Sequence, residues 1–250
     1  MHICNHKTTP DMNRLIIIAA CSLITLSSCQ GFFHRVQGSG NVITQSRDFS
    51  NFTSAEVGST IDLYVKQDSA YSVKVEVDDN LQQYIVISQS GGTLQIRQQH
   101  NTNLRSTGKI KVYISAPEFR HLDASGASRI IGQNMLSNLS GTSIEVSGSS
   151  NAQLELKTPK VNVDVSGASD IILKGETKEL SIEASGASGV KCFELLSENT
   201  EVDLSGASKA EVFGSVKINA SASGASDVYY KGKGAVTKDE SGASSVRKVD

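Results

Sequence analysis

The sequence predicts an all-β protein: a parallel β-helix, that is a two-sheet β-solenoid, with SGAS corner repeats and a more divergent β N-terminal half. Three observations predict it. The phrase SGAS, once SGSS, returns along the chain with its glycine at Gly126, Gly148, Gly167, Gly186, Gly206, Gly224 and Gly242, at intervals of 22, 19, 19, 20, 18 and 18 residues. A period of about 20 residues marks a solenoid, because one such unit cannot bury its apolar side alone and stacked copies can. On either side of each corner, apolar residues alternate with polar ones, which is the period of a half-buried strand. The composition agrees: 5% aromatic residues, no Trp, three Pro, abundant Gly, and a net charge of only −2, without the charge excess of a disordered chain.

Residues 1–28 read as a lipoprotein signal peptide. Arg14 precedes the apolar run LIIIAACSLITLSS at 15–28, too short for a spanning helix and as long as a signal h-region. Leu26-Ser27-Ser28-Cys29 resembles a bacterial lipobox, which implies cleavage before Cys29 and acylation of that cysteine. Met12 offers a second start, giving the compact signal MNRLIIIAACSLITLSSC. After cleavage Cys4 and Cys21 are gone and Cys29 carries lipid, so Cys192 has no partner for a disulfide. Acyl chains at Cys29 would hold the protein on a membrane without a transmembrane helix. Gln30, rather than Asp, after the lipid cysteine fits an outer-membrane lipoprotein; the sequence does not fix which side it faces.

Residues 29–39 read as a lipidated linker and 40–250 as one β-helix domain, with the regular repeats at 121–248. Its first half holds clear β runs, VEVDDNLQQYIVISQSGGTLQIRQQ and KIKVYISAPEFRHLDASGAS, without the strict period. Ser39-Gly40-Asn41-Val42 and Val57-Gly58-Ser59-Thr60-Ile61 look like worn copies of the corner phrase. The sequence leaves open whether this half continues the coil or forms a separate small sheet.

In the regular half, Val161, Val163 and Val165 stand before one corner in the frame of Leu180, Ile182 and Ala184 before the next. After the corner, Ile171 and Leu173 match Val190 and Cys192, Ala210 and Val212, and Val228 and Tyr230. Each unit is therefore strand, corner, strand, then a variable loop such as KGETKE at 174–179. A meander of antiparallel hairpins turning at SGAS is the competing arrangement; uniform spacing, with an acid always on the same side of the corner, favours the coil. Glycine supplies the positive φ or close approach of a corner. The alanine that follows it (Ala127, Ala168, Ala187, Ala207, Ala225 or Ala243) is expected to point into the corner, and the flanking serines to satisfy turn backbone. Lys238 and Glu240 stand where other copies are apolar, so residues 236–250 read as an end cap.

The chemistry is sparse. No basic excess points to nucleic acid. The sequence has no nucleophile elbow and no phosphate loop, and seven equivalent serines are punctuation rather than nucleophiles. His34, His100 and His121 lack metal-ligand spacing, and His121 reads as a surface or edge residue. Cys192 reads as a small buried apolar side chain. One constellation stands out: two residues before each corner serine sits an acid, at Asp123, Glu145, Asp164, Glu183, Asp203 and Asp239, with Ser221 the exception. In stacked coils these form one outward row about 4.8 Å per step. Hard divalent cations take carboxylate oxygens, so Asp164, Glu183 and Asp203 are candidate ligands for weakly bound Ca²⁺; the alternative is a solvated acidic face partly neutralised by lysines.

Together these features resemble the head GIN domain family of auto-transporter adhesins. The residues that carry the resemblance are GSGNVITQSRDFSNFTSAEVGSTIDLYVKQ at 38–67, IKVYISAPEFRHLDASGAS at 110–128 and the later SGAS copies, so it covers about 38–248. The resemblance implies a β-helix related in shape to pectin lyases but without their catalytic residues, and a role in cell adhesion. The lipobox departs from a true autotransporter, as does the lack of a C-terminal translocator pattern in this sequence. The expected function is thus a non-enzymatic envelope lipoprotein, a scaffold for binding a protein or glycan partner, without a cofactor and compatible with an oligomer. Two other classes compete: a β-helix carbohydrate-active enzyme, which would need basic and acidic groups clustered in a groove, and a cation-binding structural protein of the envelope.

Overall fold

The structure, a computed structural model, describes residues 34–250. The readings of a signal peptide and of Cys29 as a lipid site lie outside the described residues. Arg35–Asp250 form one compact unit, nearly all β and wound as a β-solenoid of about six turns. Among the described residues no helix is long and apolar enough to cross a membrane.

Two parallel sheets form the walls. In the first, Ser54–Val57 is followed by His121–Ala124, Thr142–Val146, the later parts of the long strands Asn151–Val165, Asp170–Ala184 and Gly189–Leu204, then Lys217–Ala222 and Ala235–Glu240. In the second, Ile61–Gln67 is followed by Arg129–Gly132, the earlier parts of the same long strands, Lys209–Phe213, Asp227–Lys231 and Ser245–Lys248. Every neighbouring pair is parallel, so the coil and not the hairpin meander is the architecture of the repeats. Between the walls, identical frames of small and branched residues stack: Leu122, Ile144, Val163, Ile182, Val202 and Ala220 are all buried on one side, and Ile130, Ala152, Ile171, Val190, Ala210 and Val228 on the other. β-branched side chains suit this pleated, dry interior.

The worn half does continue the coil, but out of sequence order. Ser54–Val57 and Ile61–Gln67 make a full turn, stacked on one side by the 121–132 turn and on the other by Thr93–Gln98 and Ile110–Ala116. The chain thus lays down its second coil outside its first and then returns to the far side. Antiparallel strands close that end: Ser72–Asp78 pairs with Ile110–Ala116, Val42–Arg47 with Ser72–Asp78, and Ile85–Ser90 with Thr93–Gln98. Phe52 and Phe119, both fully buried, plug this wider end, with ring centroids 6.4 Å apart.

The two worn corner phrases part company. Ser59 takes the glycine position of the corner, with φ +71, and its carbonyl accepts from the Ala127 amide at 2.8 Å. Gly40 also has positive φ, but its loop is outside the stack. Instead Asp78 and Asp79 hold it: the Gly40 amide donates to Asp78 and the Asn41 side chain to Asp79. A β-carbon on Gly38 would lie 2.6 Å from the Asp78 carboxyl carbon, which explains that glycine.

Two expectations need correction. The corner alanines are exposed: Ala127, Ala168, Ala187, Ala207, Ala225 and Ala243 all point out. The glycine's left-handed φ delays the inward turn by one residue, so the second serine fills the corner. Ser128, Ser188 and Ser208 are buried, each hydroxyl donating to the carbonyl of the first serine of its phrase at 2.7–2.9 Å. The segment KGETKE at 174–179 is not a loop but the middle of the strand Asp170–Ala184, paired with its neighbours on both sides. Gly175 lets that strand bend, since a β-carbon there would sit 2.0 Å from the Leu156 carbonyl oxygen. The longer interval between Gly186 and Gly206 is absorbed by a bulge where Cys192 and Phe193 stand opposite Leu173. At the C-terminal end, Lys238 and Glu240 pair in register with the buried Ala220 and Ala222 but are themselves exposed, as a cap requires.

Candidate functional site

The first sheet turns a line of carboxylates outward, interrupted once at Ser221. On each strand the acid lies between two buried residues, as Asp164 does between Val163 and Val165, so the pleat points it outward. The parallel register then aligns the acids: Glu56, Asp123, Glu145, Asp164, Glu183 and Asp203 are successive partners, followed by Ser221 and Asp239. The corner glycines fix this register, because each corner stacks directly on the one before. Asp164, Glu183 and Asp203 are therefore brought together as the sequence implied.

Two members were not legible as part of the row. Glu56 heads it, hidden because its corner reads Gly58-Ser59 rather than SGAS; the signal was there, since Glu56 precedes Gly58 by the same two residues. His121 lies on the outward face of the strand that carries Asp123, one pleat before it, and is half-buried there. His121, Asp123 and Glu145 each offer one ligand atom, and these atoms all lie within 4.8 Å of one another.

The electrostatics of the two sheets differ. On the second sheet several charges are paired. The buried Asp62 accepts from Arg129 Nε at 2.8 Å, Lys174 meets Glu194 at 2.8 Å, and Lys209 meets Glu211 at 2.7 Å. Lys209 and Lys231 also lie over the rings of Tyr229 and Phe193. On the first sheet, none of the row acids belongs to an ion pair among the described residues. Glu56 has only a neutral donor, Gln95 Nε2 at 3.1 Å. Burial raises the Asp123 carboxyl above the usual carboxylate range; Glu145 and Glu56 push the same way, and His121 opposes them. The row is thus a line of acids without ion-pair partners among the described residues.

A family model described as "Putative auto-transporter adhesin, head GIN domain" matches residues 51–234, well over half of the chain. The chain belongs to the head GIN domain family. Solved structures share the head GIN fold at low identity. A putative adhesin from Bacteroides fragilis is 21% identical, with a TM-score of 0.80 over 86% of this chain and 100% of that one. One from Parabacteroides merdae is 22% identical, with a TM-score of 0.69 over 87% and 100%. A protein of Parabacteroides distasonis described as a putative lipid binding protein is 22% identical, with a TM-score of 0.66 over 86% and 100%. At such identities these likenesses establish the fold alone. No curated protein matches the chain. The family and two of these neighbours are thus described as adhesins, and the third as a lipid binding protein.

Proposed function

We propose that this head GIN protein is a non-enzymatic lipoprotein of the cell envelope, anchored through lipid on Cys29, whose solenoid is a rigid scaffold for adhesion to a protein or glycan partner. The observation that carries the reading is the acidic row: seven carboxylates, from Glu56 to Asp239, in register on one sheet and without ion-pair partners among the described residues. Like charges opposite one another destabilise a sheet, so a row of this length fits a surface used for contact. Its partner would be cationic, or anionic and bridged by a cation. The adhesin description of the family supports an envelope or surface location, and the lipobox supports the anchor and an outer-membrane address. The enzymatic alternative needs mixed charges clustered in a groove, whereas the acids of the row stand without a Lys or Arg ion pair among the described residues.

A second reading has Ca²⁺ bound weakly along Asp164, Glu183 and Asp203, stiffening the coil; the three adjacent carboxylates with no paired Lys or Arg favour it. The test of the main reading is a screen of the full chain against arrayed envelope proteins and glycans, at low and high salt. Saturable binding that weakens with salt supports it. Binding to no member of the array, or binding indifferent to salt, speaks against the acidic face as the contact surface.

A further inference from the structure

We propose that His121, Asp123 and Glu145 form a binding site for one divalent transition-metal ion of the zinc type, at the N-terminal end of the acidic row. Their ligand atoms lie within 4.8 Å of one another, so small side-chain rotations bring them to the separation of about 3.4 Å that a tetrahedral ion with bonds of about 2.0–2.2 Å needs. The position is unique in the stack. The residues in register with His121 are Ser54 and Ser143 on its two sides, then Asn162, Ser181, Glu201, Asn219 and Thr237 further along. Only here does an imidazole stand beside the carboxylates.

Chemistry sets the class of ion. Ca²⁺ and Mg²⁺ take oxygen ligands, whereas an imidazole with carboxylates suits Zn²⁺ and its neighbours. The scaffold is rigid where it matters. His121 and Asp123 share one strand, Glu145 is Asp123's register partner on the next, and Leu122, Ala124, Ile144 and Val146 beneath them are buried. Glu56, the partner of Asp123 on its other side, adds negative charge, and none of these acids has a Lys or Arg ion pair among the described residues. Three protein ligands leave a position of a tetrahedral ion open, as at sites where zinc meets an outside ligand.

The test is titration of the metal-stripped full chain with Zn²⁺ against a chromophoric chelator, for the native protein, His121→Gln and Glu145→Gln. Melting curves verify that each variant is folded; both side chains lie at the surface or partly so, and Gln keeps shape and polarity. The expected result is one saturable Zn²⁺ site, weakened at least about tenfold in either variant and not displaced by Ca²⁺ at equal ionic strength. Unchanged Zn²⁺ affinity in His121→Gln would overturn the proposal, placing any zinc away from this strand. Displacement by Ca²⁺ at similar concentration would also overturn it, reducing the site to a general cation-attracting face.

Discussion

Gly186 rests on Gly167. The amide of Ala187 donates to the Gly167 carbonyl at 2.8 Å, and a β-carbon on Gly186 would fall 2.5 Å from that same oxygen. With φ +78, Gly186 also occupies a conformation that L side chains rarely adopt. The obstructing atoms are backbone and cannot swing away. Gly186→Val is therefore expected to lose on the order of 1–3 kcal/mol of stability, read as a lower midpoint in thermal or urea unfolding. An unchanged midpoint would mean the corner is not stacked.

The acidic row predicts a stability gain on neutralisation. Asp164 and Glu183 are direct partners with no intervening cation among the described ion pairs. Asp164→Asn with Glu183→Gln should raise the melting temperature by roughly a degree or two at low ionic strength, and the gain should shrink as salt screens the row. If added Ca²⁺ stabilises the native protein more than chelator does at equal ionic strength, and this double variant abolishes the difference, the cation reading of the row gains its support. Equal midpoints with Ca²⁺ and with chelator remove it.

Asp78 predicts an acid limb. Its buried carboxylate is pushed up by burial, but donors from Ser106, Thr107 and Gly40 outweigh this and hold it far below its ordinary value of 3.8. A carboxyl with a depressed folded pKa contributes stability that is full above its unfolded pKa and is lost as pH falls below it. Asp78→Asn should therefore cost about 1–3 kcal/mol at neutral pH and flatten the loss of stability below about pH 4. Denaturant melts at pH 7 and pH 3 on both proteins check it; a parallel pH dependence in the two would contradict it.

Cys192 predicts chemical silence. The thiol is fully buried, and burial pushes its pKa up to about 12, so little thiolate forms and access is closed. In the folded chain a maleimide at pH 8 should leave Cys192 unlabelled, and in denaturant label it fully, as read by peptide mass spectrometry. Fast labelling of the native protein would show that this coil opens.

Anchoring predicts a change of compartment. Cys29→Ala should abolish fatty-acid incorporation and leave an uncleaved or mislocalised precursor. Metabolic labelling with a fatty acid reads it, and a labelled Cys29→Ala protein would remove the lipoprotein reading.

The repeats were legible because stacking forces equivalence: a glycine with no room for Cβ and an alternation with one dry face must recur once per coil. Two things escaped for physical reasons. The direction of the corner alanines depends on how far the left-handed glycine carries the chain, which spacing does not report. The spatial order of the first coils depends on pairings between Ser54–Val57, Thr93–Gln98 and His121–Ala124, none of which share a phrase. The row was visible from Asp123 onward, and the spacing of Glu56 to Gly58 carried its first member, yet the meeting of His121 with Glu145 required the register itself. The connector KGETKE looked like a loop because its charges break the apolar frame, but Lys174 and Glu176 are spent in cross-strand pairs with Glu194 and Lys157.

The most direct test of the central claim, that the acidic row is the binding face of this head GIN scaffold, is adhesion by the triple variant Asp164→Asn, Glu183→Gln, Asp203→Asn. The measurement is binding of the native and variant full chains to the partner surface found in the array, alongside their melting temperatures. The account predicts that the variant melts no lower than the native protein and that its binding is lost. Undiminished binding by the folded triple variant would contradict it.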